Sequence, residues 1–238
     1  MPTALRANHL LAAMRPEDLQ RIEPHLEEVS LEAGQLLFVP GRSVTHVYFP
    51  VTALVSLLCT TYAGDSVEVA MTGPEGVIGP TFSSSGQWAH GRVVVQRGGN
   101  AFRMPSSIMH REFLRGGALQ LLTLRYGELQ KAQMAQTALC GRMHKLEEQL
   151  CRWILMSLDR CDDVRMAVTQ QQVASMLGVR REAVSAAVRK LQDEGLLHWG
   201  RGRLHVIDRP TLESRCCECY GAIRSTSQRL FGLNPRPQ

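Results

Sequence analysis

The 238-residue sequence lacks any long hydrophobic run. Although 44% of its residues are hydrophobic, no segment approaches the roughly 20 consecutive apolar residues that a membrane-spanning helix needs. The first residues, Met1–Arg6, also lack the basic region followed by an apolar stretch that marks a secretory signal. We therefore expect a cytoplasmic protein without a membrane partner.

Catalytic motifs are missing as well. The sequence contains no His-Glu-x-x-His motif, no glycine-rich phosphate loop, no paired-carboxylate motif and no nucleophile–base constellation. These are the patterns by which hydrolases, phosphoryl-transfer enzymes and metalloproteases are recognised. An enzyme would have no identifiable residues for its chemistry, so we expect a protein that is not an enzyme.

Cysteine is present in a number that does not suit a disulfide framework. The count of seven is odd, and in a reducing compartment the residues should be free thiols. Cys216, Cys217 and Cys219 could bind a soft metal or oxidise, but a structural zinc needs four ligands and only three lie together. Cys140 and His144 share a helical face without an identifiable third ligand. Ordinary packing is favoured for both groups, and a redox or metal role stays open.

Length and charge point to two domains and a polyanionic partner. Domains typically contain about 100–200 residues, so a chain of this length suggests two. The net charge of +5 and the pI near 9.0 suit nucleic acid, although so small an excess is weak support by itself.

The first part of the sequence is rich in short strands. Runs of β-branched and aromatic residues, separated by glycine, proline and aspartate turns, predict a sandwich, barrel or roll. The predicted strands are 35–39, 44–49, 53–58, 67–71 and 93–95. A helical turn that begins at Pro16 precedes them.

After residue 106 the hydrophobic period changes. From Leu119 to Leu150 apolar residues recur every three or four positions, which predicts a long helix whose apolar face exceeds the needs of one small domain. We therefore expect part of this face to pack on another chain, with Gln133 and Gln136 as polar positions that fix the register. Gly141 predicts a bend before the next helix. The predicted dimerisation residues are Leu122, Tyr126, Leu129, Gln133, Gln136 and Met143.

The most specific pattern lies at residues 169–191 and predicts two helices joined at a glycine. Thr169 is placed to cap the first helix by accepting from free N–H groups of its first turn. Val173, Met176 and Leu177 give that helix an apolar face. Gly178 supplies the break, because a left-handed backbone is tolerated most easily without a Cβ.

The second helix of this pattern has one apolar and one charged face. Val184, Val188 and Leu191 form the apolar stripe, so the polar residues between them face away from it. Gly195 ends the helix, and the runs on either side of 200–202 predict a β-hairpin with a basic tip. The pattern is that of a winged helix-turn-helix.

Helix-turn-helix packing also occurs without DNA, and a charged helix face is usually only solvated. Here basic residues fall together on the second helix and the hairpin tip, which favours DNA binding. These basic residues are Arg180, Arg181, Arg189, Lys190, Arg201 and Arg203. The predicted DNA-binding residues are Thr169, Gln170, Arg180, Arg181, Glu182, Ser185, Arg189, Arg201 and Arg203.

The order of β-rich segment, long helix and winged helix-turn-helix resembles the CRP/FNR superfamily of bacterial transcription regulators over nearly the whole chain. The resemblance is carried by Gly64-Asp65, Pro74–Gly79, Leu177–Val184 and Arg201–Arg203. It implies an α+β fold: an N-terminal cyclic-nucleotide-binding-like β-roll (jelly roll) at 1–115, a dimerisation helix at 116–145, and a winged helix-turn-helix with a C-terminal helical extension at 146–238. It also implies a homodimer on an inverted repeat in double-stranded DNA, an effector sensed by the roll, and RNA polymerase as a partner.

The sequence departs from the family where cyclic nucleotides bind. In members that bind them, a glutamate follows the glycine of the roll motif and an Arg-Ser pair holds the cyclic phosphate. Here Pro80 follows Gly79, and Ala89-His90 stands in the place of the pair. We therefore expect no control by cyclic AMP. The first cysteine is Cys59, so the N-terminal iron–sulphur cluster of other members is not expected either.

The DNA-contact positions also depart in part. Arg181 and Glu182 occupy the two leading base-contact positions of the family, and Ser185 matches a third position used in the fumarate-nitrate branch. The next position, commonly arginine, is Ala186. The family's half-site is therefore not transferred to this chain, and Arg180 is a candidate for the missing contact.

Other functions stay open. The protein could bind DNA constitutively, with a roll that senses nothing. It could respond to thiol or metal chemistry through its C-terminal cysteines, or to an apolar or anionic ligand in a remodelled roll. The same roll can also serve as a binding module within an enzyme.

Overall fold

A computed structural model describes residues 2–79, 91–161, 163 and 165–232 of the chain. The chain divides into two compact units, Met1–Leu57 with Met71–Gln130 and Leu58–Ala70 with Lys131–Gln238. The predicted division into 1–115, 116–145 and 146–238 stays a prediction.

Short helices open the first unit. They are α1 (Pro2–Leu5), α2 (His9–Ala12) and α3 (Pro16–Ile22), and a single 3-10 turn follows at Glu23–His25. The helical turn predicted at Pro16 is confirmed, because proline there holds a position whose N–H a helix does not use. Asn8 fixes the segment: its side-chain oxygen caps α2, and its amide donates to the carbonyls of Pro50 and Gly76, both at 2.9 Å.

Antiparallel strands form the roll. The strands of this part of the chain are β1 (Glu27–Leu31), β2 (Leu36–Phe38), β3 (His46–Pro50), β4 (Leu54–Thr60), β5 (Ser66–Thr72), β6 (Arg92–Arg97) and β7 (Gly99–Pro105). One sheet has the order β1-β7-β3, and the other has the order β2-β6-β4-β5. The five strands predicted from the sequence are confirmed as β2 to β6. Neither β1 nor β7 was predicted.

Alternate side chains of the strands fill the interior of the roll. Val47 and Phe49 on β3 are fully buried, as are Val93 and Val95 on β6. This alternation is what a strand with one covered face requires, because successive side chains point to opposite faces. The hydrophobic pattern of the sequence therefore sets which face of each strand is inside.

Two helices follow the roll, α4 (Ser106–Leu114) and α5 (Ala118–Met143). The bend predicted at Gly141 is wrong, because α5 continues through this residue to Met143 and the amide of His144 still donates to the carbonyl of Cys140 at 3.1 Å. A glycine within a helix lowers its stability by only about 1 kcal/mol relative to alanine, which the rest of a 26-residue helix easily offsets. In the part of the chain that the structure describes, no helix is long and apolar enough to cross a membrane.

Tyr126 fixes α5 against the roll within the first unit. A Cβ added to Gly76 would lie 2.1 Å from the Tyr126 ring, so only glycine allows this approach. The Tyr126 hydroxyl also forms a hydrogen bond of 2.6 Å with Thr72 Oγ1. Gly76 of the Pro74–Gly79 motif is therefore required for the packing of α5 on the roll.

The second unit is built around α6 (Leu146–Leu158). Every residue from Leu150 to Leu158 is buried, and the Trp153 indole donates to Glu68 Oε1 at 3.1 Å. The elements that follow are β8 (Arg165–Ala167), α7 (Gln170–Leu177), α8 (Arg181–Asp193), β9 (Leu197–Gly200), β10 (Arg203–Val206), α9 (Arg209–Ser214) and α10 (Glu218–Phe231). The strands form a sheet of order β8-β10-β9, and α8, α9 and α10 pack on α6.

A polar network holds α9 and α10 to the end of α6. The Arg209 guanidinium pairs with Asp159 and with Glu213, and the Tyr220 hydroxyl donates to Asp159 Oδ2 at 2.9 Å. Burial raises the pKa of Tyr220 well above its ordinary value, so its hydroxyl stays protonated and keeps donating. This network fixes the first turns of α10 in place.

We predict opposite effects for the same substitution at two glycines. Gly76→Ala should lower the free energy of unfolding by about 1–3 kcal/mol, because the new methyl group overlaps the Tyr126 ring. Gly141→Ala should raise it by up to about 1 kcal/mol, because the site is helical and nothing lies within 4 Å of the added Cβ. Denaturant unfolding of the full chain measures both. A stabilising Gly76→Ala would show that Tyr126 does not lie on this turn.

Candidate nucleic-acid interface

The helix-turn-helix consists of α7, a three-residue turn and α8. Thr169 caps α7 as predicted: its hydroxyl accepts from the Gln172 amide, and the Gln172 side chain accepts from the Thr169 amide at 2.8 Å. Gly178 ends α7 with φ +67°, the left-handed conformation that the sequence predicted. The local signals of the sequence are thus confirmed at both ends of α7.

Helix α8 separates an apolar face from a charged face. Val184, Val188 and Leu191 are buried as predicted, and Ala187 is buried with them. Arg181, Glu182 and Arg189 are exposed on the other side, and Ser185 is half-buried between the two faces. The face predicted to meet DNA is therefore the solvent-facing side of α8.

Ser185 joins α8 to the start of α7. Its hydroxyl donates to Gln170 Oε1 at 2.7 Å, so Gln170 is held beside the second turn of α8. The hydroxyl keeps accepting capacity for a base or phosphate donor. The first turn of α7 and the exposed face of α8 therefore form one continuous surface.

The hairpin β9–β10 adds a basic tip to this surface. Its two-residue turn, Arg201-Gly202, has φ +50° and +73°, as a type I′ turn requires. Arg201 is the only non-glycine residue with positive φ among the described residues. The carbonyl of Gly202 accepts from the Val168 amide at 2.9 Å, which places the tip directly beside Thr169.

The arginines of this surface have no ion-pair partner within the described part of the chain. Among the residues that the structure describes, no carboxylate pairs with any of the five exposed arginines, and only Lys190 is engaged, through Glu147 at 2.7 Å. These five are Arg180, Arg181, Arg189, Arg201 and Arg203. Glu182 is the acidic residue among the nine predicted DNA contacts. The surface therefore presents unneutralised positive charge.

The predicted dimerisation residues lie mostly inside the chain. Leu122, Tyr126, Leu129 and Gln133 are each no more than 6% exposed, and Gln136 is half-buried. Met143 is 72% exposed. The apolar period of α5 thus describes how this helix packs within its own chain, which differs from the partner contact that the sequence suggested.

A different set of apolar side chains on α5 is open to solvent. Leu121 and Leu124 are 50% and 47% exposed, and Leu139 and Met143 near the end of the helix are 45% and 72% exposed. Within each pair the spacing of three or four residues fits the helical repeat. We call these four residues the outer face of α5.

The structure groups the cysteines differently from the sequence analysis, which placed Cys216, Cys217 and Cys219 together. Cys216 Sγ lies 4.0 Å from the carbonyl oxygen of Glu148 and is not part of the group of metal-binding atoms. Cys217 and Cys219 instead lie beside Cys140 and His144. Sequence reasoning treated these as two separate features, each short of ligands, because about 75 residues separate them along the chain.

The positions compared with the cyclic-nucleotide site, Pro80, Ala89 and His90, lie outside the described residues. Among the described residues, a cavity of about 30 Å³ lies between α5 and the roll, with Thr72, Thr123 and Gln130 as polar lining residues. A volume of this kind holds about two water molecules.

The sequence of the second unit matches a known family. Residues 148–215 match the Crp-like helix-turn-helix domain. The chain therefore carries a Crp-like helix-turn-helix domain. The match covers most of α6 together with the helix-turn-helix and the wing, and the last two build the basic surface. No curated protein sequence matches the chain significantly.

Solved structures share this fold over most of the chain. A protein assigned to the CRP/FNR family of transcriptional regulators from Eubacterium rectale superposes with a TM-score of 0.69 at 14% identity, over 88% of this chain and 98% of that one. FixK2 from Bradyrhizobium japonicum gives 0.66 at 17% identity, over 81% and 98%. A CRP/FNR-family regulator from Thermus thermophilus gives 0.62 at 18%, over 79% and 97%. The fold is that of CRP/FNR-type transcription regulators, as the sequence predicted.

We predict that replacing Arg201 by glycine stabilises the protein but weakens its binding to DNA. A left-handed non-glycine residue is strained by about 1–2 kcal/mol, so Arg201→Gly should raise the free energy of unfolding by up to about 1 kcal/mol. The same change should weaken binding to all DNA sequences alike and reduce the salt dependence of log K by about one unit. Arg203→Ala is the matched control, because it removes a charge from β10 without relieving a strained φ. Unchanged DNA affinity in both variants would place the wing away from DNA.

Proposed function

We propose that this protein is a homodimeric, sequence-specific DNA-binding transcription regulator of the CRP/FNR type that is not controlled by cyclic AMP. One observation carries the proposal: α8, the first turn of α7 and the wing tip form one surface with five arginines that have no partner among the described residues. A folded chain gains nothing from such a concentration of unpaired charge, whereas a phosphate backbone neutralises it. A DNA target also favours the cytoplasm as the location.

The geometry suggests a role for each part of this surface. Helix α8 has the exposed, polar face of a recognition helix, which enters the major groove in helix-turn-helix complexes. We assign Arg181 and Glu182 in its first turn to base edges, since arginine pairs with guanine and glutamate accepts from cytosine. We assign Thr169, Gln170 and the wing arginines to phosphate contacts, together with the N–H groups at the start of α7.

The outer face of α5 is the proposed interface between two copies of the chain. Four large apolar side chains on one solvent-facing side of a 26-residue helix are otherwise exposed to water without benefit. Two-fold pairing of this helix lets each copy cover the same face of the other. A dimer also presents two recognition helices, which an inverted repeat requires.

The absence of cyclic-AMP control is supported by chemistry rather than by shape alone. Pro80, Ala89 and His90 supply neither the carboxylate nor the guanidinium by which family members hold ribose and cyclic phosphate. A phosphate removed from water without a paired cation is strongly disfavoured. Effector control through another ligand and contact with RNA polymerase remain part of the proposal by family resemblance.

Selection from random DNA tests the proposed DNA target. The expected result is an inverted repeat whose half-sites are centred about 10 base pairs apart, one turn of the double helix. Arg181→Ala should lose about 1–3 kcal/mol of binding free energy at one base position, because a bidentate guanine contact disappears. Arg42→Ala, a change of equal charge on the roll, is the control and should leave affinity unchanged. Recovery of no palindrome would contradict the dimeric operator.

Sedimentation of charged variants tests the proposed interface. Leu124→Glu and Leu139→Glu should give folded monomers with weak operator binding, because each places a carboxylate in the apolar contact. Leu114→Glu is the matched control, since Leu114 is 67% exposed but lies on α4. Leu129→Glu should instead unfold the roll, because Leu129 is 2% exposed within the chain. Dimers that persist in both α5 variants would locate the interface elsewhere.

A further inference from the structure

Four side chains with metal-binding atoms converge where α5 ends and α10 begins. They are Cys140, His144, Cys217 and Cys219, and their ligand atoms all lie within 4.8 Å of one another. Cys140 Sγ is 3.5 Å from Cys217 Sγ, and Cys219 Sγ is 3.6 Å from His144 Nδ1. The three cysteines are buried and form a cluster of their own.

We propose that these four side chains bind one zinc ion as a closed Cys3His site. Zinc takes thiolates at about 2.3 Å and imidazole at about 2.0–2.1 Å in a tetrahedron, which places the ligand atoms about 3.4–3.8 Å apart. Two of the distances above already have these values, and the longest separation needs to shorten by about 1 Å. Because all four positions are filled by protein atoms, the site is structural and leaves no position for a substrate.

The two helices present their ligands in suitable geometry. Cys140 and His144 are four residues apart at the end of α5, where the hydrogen bond between their backbones keeps both on one face. Cys217 is the N-cap residue of α10, and Cys219 lies in its first turn. The N-terminus of a helix carries partial positive charge, which favours the thiolate forms that bind zinc.

Glu218 gives the histidine the carboxylate partner that metal-bound histidines usually have. His144 Nε2 lies 3.2 Å from Glu218 Oε1, while Nδ1 faces the cysteines. A carboxylate on the far nitrogen fixes the ring orientation and leaves the near nitrogen free of its proton. The imidazole is therefore oriented as a ligand through Nδ1.

Arg152 provides an independent indication of negative charge in the cluster. Its side chain on α6 is buried, and its Nε has no hydrogen-bond partner in the described structure. Its Nη1 donates to Thr137 Oγ1 and Met156 Sδ, and the guanidinium lies beside the Cys140 thiol, whose pKa it lowers. No described carboxylate pairs with it. A buried guanidinium without a counterion is strongly destabilising. Three thiolates around Zn²⁺ carry a net charge of −1, which Arg152 balances.

Neutral thiols would leave that charge uncompensated. Burial raises the pKa of Cys140 and of Cys219 above the ordinary thiol value, and the neighbouring Arg152 offsets this only in part at Cys140, so without a metal ion the thiols do not supply the missing negative charge. A bound metal ion reverses this preference and deprotonates its thiol ligands. A single ion also fits better than a multinuclear iron–sulphur cluster, which places several irons and sulfides between its cysteines and holds their sulfurs farther apart.

Metal analysis of the full-length protein, purified with reductant, tests the proposal directly. The expected content is about one zinc per chain, retained through dialysis and released by thiol-modifying reagent. Cobalt substituted for zinc should show the visible bands of tetrahedral Co²⁺ and a thiolate charge-transfer band in the near ultraviolet. Absence of stoichiometric metal after incubation with zinc, or a Cys140–Cys217 disulfide under reductant, overturns the site. Neither readout depends on DNA binding, so failure here is distinguishable from failure of the proposed function.

Neighbouring cysteines supply matched variants. Cys219→Ser should abolish zinc retention, whereas Cys216→Ser should retain it, although the two residues lie close together in sequence. Because a buried serine can prevent folding, His144→Cys provides a second measurement: it should keep the metal and raise the cobalt charge-transfer intensity by about a third, as a fourth thiolate replaces imidazole. Equal loss of zinc from Cys216→Ser, or an unchanged spectrum of His144→Cys, contradicts the ligand assignment.

Glu218 is a positioning residue in this scheme. Glu218→Gln should weaken zinc affinity by about 10–100-fold while leaving the cobalt band positions unchanged, because this carboxylate orients the histidine without contacting the ion. Glu17→Gln, an equal change of charge on α3, should have no effect. Identical zinc affinities for both variants would remove Glu218 from the site.

Discussion

The second unit depends on the complete burial of α6. Nine consecutive residues, Leu150 to Leu158, are buried, and a helix buried on every side needs cover from every side. Helices α8, α9 and α10 each supply part of that cover, and the Glu68 carboxylate satisfies the indole of Trp153. Helices α8 and α10 are therefore packed on the same core helix, so a change in the packing of one alters the packing of the other.

Local sequence signals made the helix-turn-helix predictable, whereas strand β7 lacks such signals and was not predicted. Thr169, Gly178 and the apolar spacing of α8 act within a few residues, so the sequence alone contains them. Strand β7 reads Gly-Asn-Ala-Phe-Arg-Met-Pro and has no β-branched residue. It forms because β1 and β3 pair with it on both sides, and pairing over such distances overrides weak propensity.

The candidate sites also contain features that nearby residues determine and features that only the tertiary structure determines. Periodicity correctly placed the arginines of α8 on the outside, because one helix determines its own faces. It could not tell which protein surface covers the apolar face of α5, and that surface proved to be the roll of the same chain, with Tyr126 against Gly76. Periodicity also could not predict that Cys140 lies beside Cys217, since these residues are 77 positions apart and only the tertiary structure brings them together.

That long separation has a consequence for synthesis. The winged helix-turn-helix lies entirely between Cys140 and Cys217, so it leaves the ribosome before α10 exists to close the loop. At about 5–20 residues per second, roughly 4–15 s pass between emergence of the two cysteines. During that interval the side of α6 that α10 later covers is bare. The nascent chain therefore carries an uncovered apolar strip for a time set by the rate of translation rather than by the rate of folding.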